Sequence, residues 1–215
     1  MFVDNSKLFT DYVVWAKFLL NHLKIPTEHS YVNLQCISQI LAYKLPQHYQ
    51  IIKAYIDEAL ETLEKPFSDS PYIVEDNPYK DMAQEYLQFL LTTDRASAST
   101  LIMQAVKNDV SIKDIYIHIF EPVLKEVGRL WQIHKITVAQ EHYCTASTQL
   151  IMAQLYPFFF SSSNKHGFSL VAACVNQELH EVGIRMVADI LEMDGWMEYL
   201  LFGSKCSTTG YYRIC

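Results

Sequence analysis

Through the first 160 residues apolar side chains recur three and four positions apart, which is the spacing of one buried helix face. Residues 7–23 put Leu8, Tyr12, Trp15 and Leu19 on one such face, residues 31–45 repeat the pattern after Pro26, and residues 47–63 give a third helix that ends before Pro66. A stretch with three prolines in 14 residues follows, "PFSDSPYIVEDNPY", and reads as a linker. Four more helices are predicted over 80–160. The first covers 81–93, and Asp94 or a neighbouring threonine caps the second, over 95–108. Ser111 with Asp114 opens the third, whose stripe Ile115, Ile119, Val123, Val127 and Leu130 persists despite Pro122. The fourth runs from Val138 to about Phe159, with Thr137 as N-cap and Gln140 completing a capping box.

After the short linker "SSSNKHG" the period changes. The apolar run "FSLVAACV" reads as a strand, residues 182–195 as an amphipathic helix and "WMEYLLF" as a second strand, an order that predicts a parallel βαβ unit. The expected class is therefore mainly α, ending in an incomplete Rossmann-like α/β fragment. Its predicted organisation is an N-terminal helical domain (1–66), a linker (67–79), a four-helix domain (80–160), a second linker (161–167) and an α/β domain (168–215). Two parallel strands with one helix cannot cover both faces of a sheet. The tail "GSKCSTTGYYRIC" carries no further βα periodicity, so the reading expects a truncated domain, from a frameshift, an early stop or a shortened gene model.

Composition narrows the function. A formal charge of −7 over 215 residues gives no basic surface for nucleic acid, and the first 66 residues hold six lysines, no arginine and seven acids. No apolar run reaches membrane-spanning length and the start lacks a signal peptide's pattern, so a cytoplasmic protein with reduced thiols is expected. The five cysteines show no zinc or redox spacing, and Cys144 and Cys174 read as packing residues. A Gly-x-Ser-x-Gly elbow, a His-Glu-x-x-His helix and a phosphate-binding glycine loop are all missing, which argues against a hydrolase or nucleotide enzyme.

Two motifs carry chemistry. Between the first strand and its helix stands Glu178-Leu179-His180-Glu181-Val182-Gly183, a loop imidazole with an acid two residues before it and a glycine three after. Such an acid can hold the second ring nitrogen of a metal-ligating histidine and raise its basicity, and such a glycine lets a bulky group approach the backbone. Upstream, Trp131 is followed after nine residues by Glu141-His142 in the first turn of the fourth helix. A zinc site from His134, His142 and Cys144 is a minor alternative.

In that order the two motifs resemble the helical cap and cobalamin-binding domain shared by methionine synthase, corrinoid proteins and the MerR-type cobalamin photoreceptors. The Trp131 and Glu141-His142 spacing is similar to that of the sensor branch, and the loop motif to Asp-x-His-x-x-Gly, with Glu178 replacing Asp. The resemblance implies a non-enzymatic cobalamin-binding regulator. His180 would ligate cobalt from below with Glu178 behind it, and Gly183 would line the approach. Trp131, Val138, Glu141 and His142 would meet the upper face, with Glu141 bonding the ribose of an adenosyl group. Adenosylcobalamin or methylcobalamin is the implied cofactor; a second copy or a signalling protein is the implied partner, with neither nucleic acid nor membrane. In photoreceptors a histidine often follows the tryptophan, whereas here Gln132 does and His134 comes two residues later, which puts light sensing in question. Two other readings stay open: a corrinoid methyl carrier of a methyltransferase system, and a helical interaction protein that binds no cofactor.

Overall fold

The computed structural model describes residues 5–65, 70–159, 167–174 and 180–201, the last five as backbone. Over the described residues the chain is mainly α with a βαβ unit near its end, and it divides into two compact units: Met1–Pro71 with Arg129–Ile136, and Tyr72–Gly128 with Thr137–Cys215.

The first unit holds α1 (Ser6–His22), α2 (Thr27–Lys44) and α3 (Tyr49–Glu64). Asn5 opens α1 by accepting the Lys7 amide. Val13, Leu34, Ile56, Ala59 and Leu63 form the core, with Phe9, Tyr31, Ile52 and Leu60 packed around it. The ammonium of Lys17 closes the end of α3 by donating to the carbonyls of Leu63 (2.6 Å) and Lys65 (2.9 Å), groups a helix C-terminus leaves without an internal partner. The α1 stripe expected to face inward does not: Leu8 and Tyr12 are more than 60% exposed, Trp15 is exposed too, and Thr10, Val13 and Phe18 are buried instead. This helix is apolar on two sides, so its period identifies a helix without saying which side the neighbours take. The segment 129–136 joins this unit through Gln132, whose amide donates to the Trp15 carbonyl at 2.8 Å.

The second unit holds α4 (Lys80–Leu91), α5 (Arg95–Lys107), the short α6 (Ile112–Asp114), a π-helical segment (Ile115–Phe120), most of α7 (Glu121–Gln132) and α8 (Val138–Phe159). Tyr86, Ile102, Ile115, Phe120, Ile151 and Met152 are among its fully buried residues. Asp94 accepts the Ser97 amide and Ser111 the Asp114 amide, so both predicted caps form. Inside, the Tyr86 hydroxyl meets Thr148 Oγ1 at 3.0 Å, and Thr148 donates to the Cys144 carbonyl.

The π-helical turn has a local cause. Pro122 has no amide hydrogen to give the His118 carbonyl, and its ring would crowd that oxygen in a regular helix. The backbone widens, the Glu121 amide reaching back to the Tyr116 carbonyl. The carbonyl left over at His118 is taken by the Asn77 side-chain amide at 2.7 Å. Asn77 lies in the stretch read from sequence as a linker. From Tyr72 onward that stretch belongs to the second unit: Ile73 is buried and the Tyr72 amide donates to the Glu126 carboxylate at 3.0 Å.

The α/β part is a two-stranded parallel sheet, β1 (Ser169–Ala173) beside β2 (Met197–Leu201), in register from Ser169 with Met197 to Ala173 with Leu201. Between them runs α9 (Val182–Met193). Among the described residues no helix is long and apolar enough to cross a membrane.

Candidate functional site

Thr137 sets the start of α8. Its hydroxyl accepts the Gln140 amide (3.3 Å), while the Gln140 side-chain oxygen accepts the Thr137 amide (2.9 Å), the reciprocal bonding of a capping box. That start presents Val138, which is exposed, and then Glu141 and His142 in the first turn. The Glu141 carboxylate bonds His142 Nδ1 and also accepts the Thr145 hydroxyl at 3.0 Å. Glu141 is therefore held from two sides. His142 has its Nδ1 occupied while the ring lies mostly in solvent, an arrangement that leaves Nε2 as the nitrogen able to accept or ligate. Thr137→Ala is expected to lower the stability of the second unit by about 1 kcal/mol, the usual worth of an N-cap, as read by urea unfolding. An unchanged midpoint would remove the cap from the account of how this turn is positioned.

One turn further, Cys144 is buried, and burial together with the Glu141 carboxylate pushes its thiol up to about 11. It stays protonated at neutral pH and packs, as expected for a structural cysteine. Cys36 is also a free thiol, on the surface. Among the described residues no three of His, Cys, Asp and Glu stand together as metal ligands.

Trp131 lies in the last turn of α7, with about a third of its surface exposed, and belongs to the first unit. His180 and Gly183 belong to the second. His180 is exposed at the approach to α9, Glu181 stands at the N-cap position without a side-chain capping bond, and Gly183 lies in the first turn. A Cβ built on Gly183 would meet nothing within 4 Å. A glycine in a helix costs roughly 1 kcal/mol against alanine. Neither packing nor a left-handed backbone asks for one here. Glu178, expected behind His180, lies outside the described residues.

What holds α9 was not foreseen. Asp189 on this helix is fully buried, and its two carboxylate oxygens accept the hydroxyls of Tyr116, from the π-helical segment, and Tyr156, from α8, each at 2.7 Å. Arg185, one turn earlier, lies over the Tyr156 ring at 5.4 Å. Burial raises the Asp189 pKa, while the two tyrosine hydroxyls and Arg185 pull it back. Burial and the neighbouring carboxylate drive the Tyr116 phenol well above its ordinary range and Tyr156 up to about 12, so both remain donors. A sequence signal existed: Asp189 sits three residues after Met186 and beside Ala188, on the apolar side of its helix.

Residues 82–156 match the family model for a B12 binding domain. The match covers less than half of the chain and runs from α4 to near the end of α8, so it includes Trp131, Val138, Glu141 and His142 but not the βαβ unit. It supports a cobalamin-binding helical cap, and cobalamin as the cofactor. The chain matches no curated protein.

Proposed function

We propose that this protein is a non-enzymatic, cobalamin-binding regulator in which His180 ligates the cobalt and the helical bundle covers the opposite face. The observation that carries this reading is an exposed loop imidazole at the head of α9, followed by a glycine the chain itself does not require, in a protein whose bundle matches a B12 binding domain. The residues fit such a group: Gly183 leaves open space at the first turn of α9, and Glu141 and His142 are fixed in a solvent-facing turn.

In this reading Glu178, outside the described residues, would hold the second nitrogen of His180 and fix the ligating tautomer. Trp131 and Val138 would supply apolar surface to the group, Glu141 would accept hydrogen bonds from its polar parts, and His142 would offer Nε2. Bound cobalamin would supply a cobalt–carbon bond that light or chemistry can break. Signal transmission falls to α9, which carries His180 at its head and is tied to the bundle through Asp189, so that a pull on the imidazole is felt at Tyr116 and Tyr156. A ligand that binds two arrangements of these parts unequally shifts their balance.

The protein incubated with adenosylcobalamin in the dark and desalted is expected to keep the visible bands of a corrin with a histidine lower ligand. His180→Ala is expected to lose that signature and weaken retention by about tenfold or more, with an unchanged far-ultraviolet circular dichroism spectrum. A colourless wild type would end the cobalamin reading, and an unchanged spectrum of the variant would end the ligand assignment. Green light separates the finer readings: a spectral change with preference for the adenosyl form speaks for a light sensor, whereas equal retention of methylcobalamin without a light response speaks for a methyl carrier.

A further inference from the structure

We propose that α2 is a self-association helix, its outer face pairing antiparallel with α2 of a second copy about a two-fold axis at Cys36. The inner face of this helix is spent on the core through Leu34, with Tyr31 beside it. The opposite side carries Val32 and Ile40, both 59% exposed, Tyr43, 81% exposed, and the exposed Cys36. From Ser30 to Tyr43 there are 14 residues without a charge. A helix on the surface of a globular protein ordinarily turns its charges outward, and a helix apolar on both sides is ordinarily covered on both.

The pattern itself says what covers it. His29, Val32, Cys36, Ile40 and Tyr43 follow one another at spacings of three, four, four and three, which read the same from either end. In an antiparallel pair centred on Cys36, Val32 of one copy therefore faces Ile40 of the other, His29 faces Tyr43, and the two Cys36 thiols face each other. The charges that flank the neutral run are Glu28 and Lys44, opposite in sign and each eight residues from Cys36. The same pairing sets Glu28 against Lys44 at both ends. A two-fold interface requires such self-complementarity, since one patch must meet its own copy. A lipid surface fits less well: interfacial helices rim their apolar side with several lysines or arginines, and here Lys44 stands alone within a protein of net charge −7.

Eighteen residues of helix are about 27 Å long, so one pair buries less than a standard interface and the dimer should be concentration-dependent in the micromolar range. Sedimentation or light scattering of the full chain is expected to show a dimer, and Ile40→Lys or Tyr43→Lys to raise its dissociation constant by about tenfold or more with helicity unchanged. Glu28→Lys should weaken it and Glu28→Lys combined with Lys44→Glu restore it. A short bismaleimide should link Cys36 to Cys36, as peptide mapping reads, and the linked species should vanish in Cys36→Ser. A monomer at every concentration, a dimer indifferent to both lysine substitutions, or a dimer in which Cys36 does not link would each overturn the proposal. So would sedimentation with phosphatidylcholine vesicles in place of self-association.

Discussion

Asp189→Ala is expected to lower the stability of the second unit by about 3 kcal/mol, because two tyrosine hydroxyls, the buried Tyr116 and the half-buried Tyr156, lose their acceptor. Tyr116 Oη and Tyr156 Oη each donate to this carboxylate at 2.7 Å, and their donors sit on the bundle while the acceptor sits on α9. The loss should therefore appear first as release of α9, read as faster amide exchange over residues 182–193. Asp189→Asn keeps one acceptor oxygen and should cost less.

The same carboxylate sets a pH dependence. Burial, the largest influence, raises its pKa in the folded protein above the unfolded value near 3.9. The folded state thus binds this proton more tightly than the unfolded chain. The stability so contributed is fully present below the unfolded pKa and is lost as pH rises through the folded one. Wild type should gain on Asp189→Asn as pH falls from neutrality into that window, as compared by urea unfolding at each pH. If wild type instead loses ground to the asparagine variant on acidification, the tyrosine hydrogen bonds outweigh burial and the sign is reversed.

Phe120→Ala should be costlier still, about 3–5 kcal/mol, the range for emptying an aromatic site in a packed core. Phe120 is fully buried in the π-helical segment, its ring 5.3 Å from that of Tyr86 and 5.5 Å from that of Tyr116. Because Tyr116 also holds Asp189, the double variant Phe120→Ala with Asp189→Ala should fall short of the sum of the two. Urea midpoints decide both points, and a single-variant cost below about 1 kcal/mol would show that the bundle collapses onto the vacancy.

Legibility followed the range of the interactions. Local features could be read from sequence: the Thr137 and Gln140 box that begins α8 at Val138, the caps at Asp94 and Ser111, and the parallel βαβ order. The candidate residues Glu141 and His142 were legible because one helical turn holds them together. What could not be read depends on distant partners. Pro122 announces a disturbed helix, but the form it takes needs Asn77, which is 41 residues before the carbonyl it serves. Asp189 meets Tyr116 across 73 residues. The direction of α1 depends on α2 and α3, and its own pattern offered two faces of which the outward one looked more regular.

The division of the chain also bears on the order in which it is made. The first unit is not completed by the first 71 residues, since it includes Arg129–Ile136. The bond from Gln132 to the Trp15 carbonyl spans 117 positions, so on the ribosome the core that α1, α2 and α3 share can close before the contact made by 129–136 exists. Domains usually fold as units from the amino terminus onward during synthesis. Here the earliest helices are left with an unfinished edge until the final turn of α7 emerges, and a nascent chain arrested before that turn would display Trp15 without its partner.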